Sequence, residues 1–282
     1  MILSFHPCFA ADAQIILGDR EITREDLSLI EDAEAILLPQ GCPVTLYRAV
    51  ETCPGVVFPN YDMRFRYTGK RGQSVLFERM GWPHPATMRW GSVRDFRDYL
   101  RHSGDLPHRM PFFLKRDLSH EGTGVYLIGE MTRIEFVLRE IERCGDSGFI
   151  SQDCIPCDGN VLRVVILGRK ALSYWKRPER ADELVISAGR NAWIDTQWRE
   201  DLQEKGRAEA LRFSEESGIN LAAMDFVFST ADPAPRPLIL EINYYFGRRG
   251  LGGSLRYYRL LYDAIHEWLI EQGIDPGPLS LV

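Results

Sequence analysis

Two apolar stretches near the C-terminus each carry an acid where a buried strand should carry none, and this limits what the chain can fold into. Ala222-Ala-Met-Asp-Phe-Val-Phe228 sets Asp225 between Met224 and Phe226, and Pro237-Leu-Ile-Leu-Glu-Ile-Asn243 carries Glu241 and Asn243. Strand alternation turns Glu241 and Asn243 to the same face. A carboxylate is too costly to bury unless something pairs with it. Two carboxylates and an amide oxygen, without Cys or His beside them, suit a hard cation such as Mg²⁺. Acids that mark strand ends, or that pair with arginines, remain an open alternative on these residues alone.

The chain can bury a core large enough to hold such strands. It has 282 residues, 45% of them hydrophobic, which suits two domains or one large α/β unit. Its formal net charge of -6 gives no global basic field for nucleic acid or an anionic membrane. Any bound anion must be held by local cations and backbone amides. The N-terminus, Met-Ile-Leu-Ser-Phe-His-Pro, lacks a signal-peptide pattern, and no apolar run reaches the length of a membrane span. The six cysteines (Cys8, Cys42, Cys53, Cys144, Cys154, Cys157) are scattered, unlike a disulfide framework, and fit a reducing cytoplasm. Cys154-Ile-Pro-Cys157 has no second ligand pair of matching spacing and reads as a turn.

In chain order, Ile2 to Phe5, Ala35 to Pro39 and Gly55 to Phe58 read as strands. A helix begins after Thr23 and a short one spans Thr45 to Glu51, an alternation that implies a small parallel sheet layer. Arg64 to Gly81 reads as one amphipathic helix with Lys70 near its start, stopped by Gly81-Trp-Pro-His-Pro85. Ala86 to Trp90 is a strand, and Ser92 caps a helix to about His102. Pro111 to Arg116 is a strand ending near Lys115, followed by the glycine-bearing loop Asp117 to Gly124 and a strand at Val125 to Ile128. Such a loop can fold backbone amides over a phosphate, or it can be a plain surface hairpin. Glu130 to Cys144 is a helix, and Phe149 to Gln152 a strand. Val161 to Leu167 and Ala171 to Arg177 form a hairpin. Arg163 interrupts its first strand and asks for an anion, and Lys176 and Arg177 end the second. Glu183 to Ala188 reads as a short strand, and Thr196 to Ser217 as mostly helical, with Leu202, Ala208, Leu211 and Phe213 inward. After Asn243 a basic glycine loop runs to Gly253. A final helix spans about Ser254 to Gln272, and the tail at Pro276 to Pro278 is a terminal loop.

This order of features resembles the ATP-grasp superfamily, and within it the glutathione synthetase-like branch that includes glutamate ligases acting on ribosomal proteins. The resemblance covers roughly residues 55 to 270. It rests on Lys70 before a helix ending in Gly81-Trp-Pro-His-Pro-Ala-Thr87, on Lys115 followed by a glycine loop, on Ser151-Gln-Asp-Cys-Ile-Pro156, on Arg163, and on Asp225 followed by Glu241-Ile-Asn243. It implies an ATP-grasp fold of the α/β (α+β) class, with a pre-ATP-grasp layer over 1–62, a small subdomain over 63–155 and a C-terminal subdomain over 156–282. The nucleotide would lie between the latter two. The chain departs from the family pattern at Val161, where many relatives have an acid, at Asp153 in place of Glu, and at His120-Glu121 in the loop.

The resemblance further implies a role for each matching residue. Lys70 and Lys115 would neutralise the α- and β-phosphates of ATP, and Ser119, Gly122 and Gly124 would belong to the loop closing over them. Gln152, Asp153, Cys154 and Ile155 would form the hinge that reads the adenine edge. Arg163 and Arg177 would meet the γ-phosphate or an acyl phosphate, and Asn191 would contact phosphate. Asp225, Glu241 and Asn243 would hold Mg²⁺, with Mn²⁺ also admitted. Apart from the resemblance, Arg248 and Arg249 in the basic glycine loop either bind an acidic substrate or are surface charges. The implied reaction is ADP-forming ligation of a small-molecule or peptide carboxylate to an amine or thiol, in a cytoplasmic protein able to form a homodimer. A phosphotransferase on the same fold and a non-catalytic ATP-binding protein are the alternatives. On this reading Asp225→Ala or Glu241→Ala should remove Mg²⁺-dependent turnover and leave cooperative folding intact.

Overall fold

The computed structural model describes residues 1–119, 123–145, 148–179 and 192–282. The chain opens with β1 (Ile2–Ser4), β2 (Phe9–Ala10), β3 (Ala13–Gln14), α1 (Arg24–Asp32), β4 (Ala35–Leu37), α2 (Val44–Val50) and β5 (Val56–Phe58). Thr23 caps α1 in a reciprocal box with Asp26. The strands pair in the order β3-β1-β4-β5, all parallel, so the expected parallel layer is present. β1 and β4 are buried throughout, as a sheet covered on both faces requires. β2 and β3 are too short to leave an alternation in the sequence.

The single helix expected from Arg64 to Gly81 is two: α3 (Asp62–Arg66) and α4 (Gly69–Met80). The break depends on a close approach by a residue far along the chain. Gly69 takes φ +69°, and a Cβ there would lie 2.4 Å from the Asp117 carboxylate. That carboxylate accepts the Arg71 amide at 2.8 Å, so it caps α4 from a distant loop. α4 ends at Gly81 in the left-handed region, as expected.

The middle of the chain forms β6 (Thr87–Trp90), α5 (Val93–Ser103), β7 (Phe112–Arg116), β8 (Val125–Ile128), α6 (Thr132–Arg143) and β9 (Phe149–Asp153). These strands make an antiparallel sheet in the order β6-β9-β7-β8. α5 and α6 cover one face, where Phe112 and Leu114 of β7 join Phe96, Val137, Leu138 and Phe149. Phe113 and Lys115 alternate to the other face.

The remainder forms β10 (Val161–Leu167), β11 (Lys170–Pro178), β12 (Ala192–Asp195), α7 (Glu200–Ser217), β13 (Leu221–Val227), β14 (Leu238–Asn243), α8 (Ser254–Glu271) and β15 (Ser280–Leu281). The first three strands and β13 and β14 make an antiparallel sheet in the order β12-β11-β10-β13-β14. Leu162, Val164 and Ile166 of β10 pack with Leu202, Ala210 and Phe213 of α7. Val165 and Leu167 pack with Leu261, Ala264 and Ile265 of α8 on the opposite face. Arg163 shares that second face, beyond the reach of α8's cover. The inward stripe of α7 runs through Leu202, Gly206, Ala210 and Phe213, so Ala208, expected inside, is exposed. The helix also starts later than expected, because Asp195 accepts the Gln197 and Trp198 amides and holds those residues in a turn. The tail ends in a strand paired with β2, not only in a loop.

Trp82 ties the segment after α4 to this sheet's cover. Its ring stacks on Phe213 at 4.0 Å and 9°, and its Nε1 donates to Glu216 at 2.6 Å. Replacing Trp82 by Ala should cost about 3–5 kcal/mol in urea unfolding. Trp82→Phe, which keeps the stack, should cost only about 1–2 kcal/mol.

Candidate functional site

A cavity of about 360 Å³ opens between the free face of β7 and β9 and the uncovered end of the C-terminal sheet. Its size is that of a small-molecule site. On the first wall, Lys115 donates to Gln152 Oε1 at 2.6 Å, and Gln152 in turn donates to Thr87 at 2.9 Å. The register sets Phe113 opposite Gln152, which turns Gln152 to the cavity with Phe113 and Lys115. Burial lowers the Lys115 ammonium to about 8, although Glu241 pulls the other way. Lys70, one residue into α4, donates to the Ser119 carbonyl at 2.6 Å and to its hydroxyl at 3.3 Å. Burial lowers its pKa too, against the attraction of Glu241 and Asp117. Two desolvated ammonium groups therefore face one cavity, an arrangement that favours an anion between them.

Past the end of β9, the amides of Cys154 and Ile155 have no backbone carbonyl partner among the described residues. Both residues line the cavity, as does Cys157. The cysteines form the turn expected of them and are free thiols. Burial pushes Cys157 up to about 11 and raises Cys154, so neither is a ready nucleophile. His108, buried behind β9, holds the Asp153 carboxylate at 2.7 Å.

The second wall carries the acids. β10 pairs with β13 so that Arg163 stands opposite Asp225, and β13 pairs with β14 so that Asp225 stands opposite Glu241. Asp225 is almost completely buried and accepts from Arg163 Nε and Nη2, both at 2.7 Å, and from Lys176 at 2.8 Å. Burial would raise this carboxyl, but the charge of Arg163, then that of Lys176, holds it well below the usual carboxylate range. Burial likewise lowers Lys176, opposed by Asp225. Glu241 accepts from Asn243 Nδ2 at 3.1 Å and has no cation within ion-pair distance among the described residues.

The structure brings together Lys70, Lys115, Ser119, Gln152, Asp153, Cys154, Ile155, Asp225, Glu241 and Asn243 around the cavity. It places the other expected residues elsewhere. Arg163 lies behind Asp225 and spends its guanidinium edge on it. Arg177 turns to the opposite face of the sheet, where it pairs with Asp195 at 3.0 Å and stacks over Trp193 and Trp198. Gly124 closes the base of its loop, its carbonyl accepting the Arg116 amide at 2.8 Å. Arg248 stacks over Tyr257 and Tyr258, and Arg249 donates to the Ala192 carbonyl at 3.0 Å, so neither forms the cavity wall. Gly122 and Asn191 lie outside the described residues, as do His120-Glu121 and the strand expected at Glu183 to Ala188. Lys176 and Arg64 line the cavity and were not expected. Lys176 had a signal: in the hairpin it falls opposite Val161, on the same face as Arg163, whereas Arg177 cannot.

Solved structures share this architecture. An N5-carboxyaminoimidazole ribonucleotide synthetase in its ADP complex aligns with a TM-score of 0.59 at 12% identity over 85% of this chain. This is the ATP-grasp fold. A RimK-domain ATP-grasp protein from Sphaerobacter thermophilus aligns at 0.58 and 14% identity, over 93% of this chain and 98% of its own. A D-alanine–D-alanine ligase from Bacillus anthracis aligns at 0.60 and 15% identity, over 90% and 84%. The chain spans 60% of the length of the first of these. By sequence, no family model and no curated protein matches it. Among the described residues no helix is long and apolar enough to cross a membrane.

In an ATP-grasp frame the oxygens of Glu241 and Asn243 suit a hard cation, and no group of three or more acidic, His or Cys ligands competes for it among the described residues. Asp225 could contribute only while shared with Arg163 and Lys176, so its loss is not the plain removal of a ligand that was expected. Removing it strands Arg163 and Lys176. Asp225→Asn should therefore cost about 3–5 kcal/mol in chemical denaturation, whereas Glu241→Gln should change stability by no more than about 1 kcal/mol.

Proposed function

We propose that the chain is an ATP-dependent, ADP-forming ligase that joins a carboxylate to an amine or thiol through an acyl phosphate. The observation that carries this reading is the pair of half-buried lysines, Lys70 and Lys115, facing Glu241 and Asn243 across one cavity. The triphosphate would lie between them, with the adenine edge against the unpaired amides of Cys154 and Ile155. Lys70 and Lys115 would hold charge on the phosphates, and desolvation makes each ammonium a stronger partner for an anion than it is in water.

Glu241 and Asn243 would hold Mg²⁺, with Asp225 behind them, and the metal would supply charge neutralisation at the transferring phosphoryl group. Arg163, Lys176, Asp225 and Glu241 sum to no net charge, so the wall attracts little free cation. The metal would arrive with the nucleotide. A carboxylate oxygen of the substrate attacks the γ-phosphorus and ADP departs. The amine then attacks the acyl carbon, inorganic phosphate leaves, and the amine's proton passes to solvent or phosphate. No enzyme nucleophile is required, because phosphoryl transfer depends on positioning and charge neutralisation. Lys176, buried against Asp225 and lining the cavity, would take the role that the resemblance implied for Arg177.

Incubation with MgATP and pools of carboxylic acids and amines should give ADP and a condensed product. AMP in place of ADP would refute the acyl-phosphate route, and nucleotide binding without turnover in every pool would refute the ligase reading. Glu241→Gln should lower turnover by at least about a hundredfold with folding intact.

The lowered lysine pKa sets a pH dependence. An anion binds the charged form, which Lys115 holds below about 8 and loses as pH rises through that value. MgATP affinity should therefore be flat below pH 7 and fall by up to about tenfold per pH unit above 8. Calorimetry across that range should show the fall in wild type and a flatter profile in Lys115→Met.

A further inference from the structure

Gln73 lines the cavity and takes no part in the chemistry proposed above. It sits in α4 on the turn that follows Lys70, and its carboxamide meets the backbone of Ile242 twice. Nε2 donates to the Ile242 carbonyl and Oε1 accepts the Ile242 amide, each at 2.8 Å. Ile242 stands between Glu241 and Asn243. β14 is the last strand of its sheet, so on that edge the side chain acts as a neighbouring strand would. A carboxamide suits this place, because it carries the donor and the acceptor of a peptide unit on one planar group.

The place matters because β14 is irregular just before it. Asp225 stands opposite Glu241, and Phe226 opposite Ile239, so Leu240 has no counterpart on β13. This is a β-bulge, which bends a strand and re-aims the side chains beyond it. Burial records the effect. Ile239 and Ile242 are three positions apart, yet both are buried in the core that holds Leu162 and Phe213. In a regular strand they would point to opposite faces. The outward backbone groups shift in the same way. The Ile239 amide donates to the Pro83 carbonyl at 2.8 Å, and the next residue bonded on that edge is Ile242, where a regular strand would present Glu241. The extra residue thus turns Glu241 and Asn243 to the face of Asp225.

A bulge in an edge strand has a ladder on one side only. Slippage by one residue would send Glu241 and Asn243 to the apolar face under α7. Gln73 grips the strand beyond the bulge, at the residue between the two. The aim of Asn243 depends on that register as well. Its Nδ2 donates to Glu241 Oε1 at 3.1 Å and to Asp225 Oδ2 at 3.4 Å, which leaves its Oδ1 without a partner among the described residues.

We propose that Gln73 is a positioning residue for the metal ligands. It locks β14 in its bulged register and so sets the aim of the Glu241 and Asn243 oxygens at a divalent cation bound with the nucleotide. The place of the cation rests on the function proposed above. The lock on the strand does not. Because α4 also carries Lys70, one helix sets a cavity cation and the two oxygen ligands relative to each other.

AMPPNP affinity measured by calorimetry with saturating Mn²⁺, and again with EDTA, gives the metal's share of binding as a ratio. Gln73→Met keeps the length of the side chain and removes both hydrogen bonds. It should cut that ratio by about tenfold or more, as loss of a group that orients a metal ligand does. Affinity in EDTA should change by less than about twofold. Gln73→Asn, which carries the same amide one methylene shorter, should recover part of the ratio. Hydrogen exchange needs no variant: in the wild-type protein without ligand, the Ile242 amide should exchange as slowly as the ladder amides of β13. A fast-exchanging Ile242 amide would overturn the lock. A ratio indifferent to Gln73→Met, or equal losses with and without Mn²⁺, would overturn the positioning role. A wild-type ratio near one would overturn it together with the metal site. A ratio that depends on Gln73 in a protein that turns over no substrate would leave the role standing and count against the ligase reading alone.

Discussion

The buried ion cluster of Arg163, Lys176 and Asp225 is the interaction on which the C-terminal half depends. Three adjacent strands, β11, β10 and β13, each contribute one member, so the cluster forms only when their registers are right. A slip of one residue in any of them would send a charge into the apolar face under α7. The cluster thus enforces the geometry that also presents Glu241 and Asn243. It is weak evidence for stability as such, since apolar replacements of buried ion groups are often as stable. Its value here is specificity of strand alignment beside the cavity.

The strands themselves were legible from their apolar runs, and the acids within them stood out because burial makes an acid expensive. What lay across from them was harder to see. Arg163 looked like a cation waiting for phosphate, when its partner was the very acid assigned to metal. Arg177 and Lys176 are neighbours, and alternation sends them to opposite faces, so only the hairpin register separates a cavity residue from one stacked between tryptophans. That register could have been counted from the turn at 168–170.

Other features left no local mark. The break between α3 and α4 depends on Gly69 and Asp117, far apart in the chain, and the pattern of apolar residues runs on across it. Ala208 was placed inside α7 by composition, whereas the helix approaches β10 through Gly206, whose lack of a side chain makes room for Leu162. Helix phase is set by such close approaches as much as by hydrophobicity.

Gln73 of α4 exchanges two hydrogen bonds with the Ile242 backbone, each at 2.8 Å, which fastens the helix to β14. One turn earlier the same helix is capped by Asp117 and reaches Ser119 through Lys70. α4 therefore links the two walls of the cavity. One ammonium group therefore lines the cavity and also ties Ser119 to α4, so the charge of the cavity and the anchorage of the Ser119 backbone rest on a single side chain.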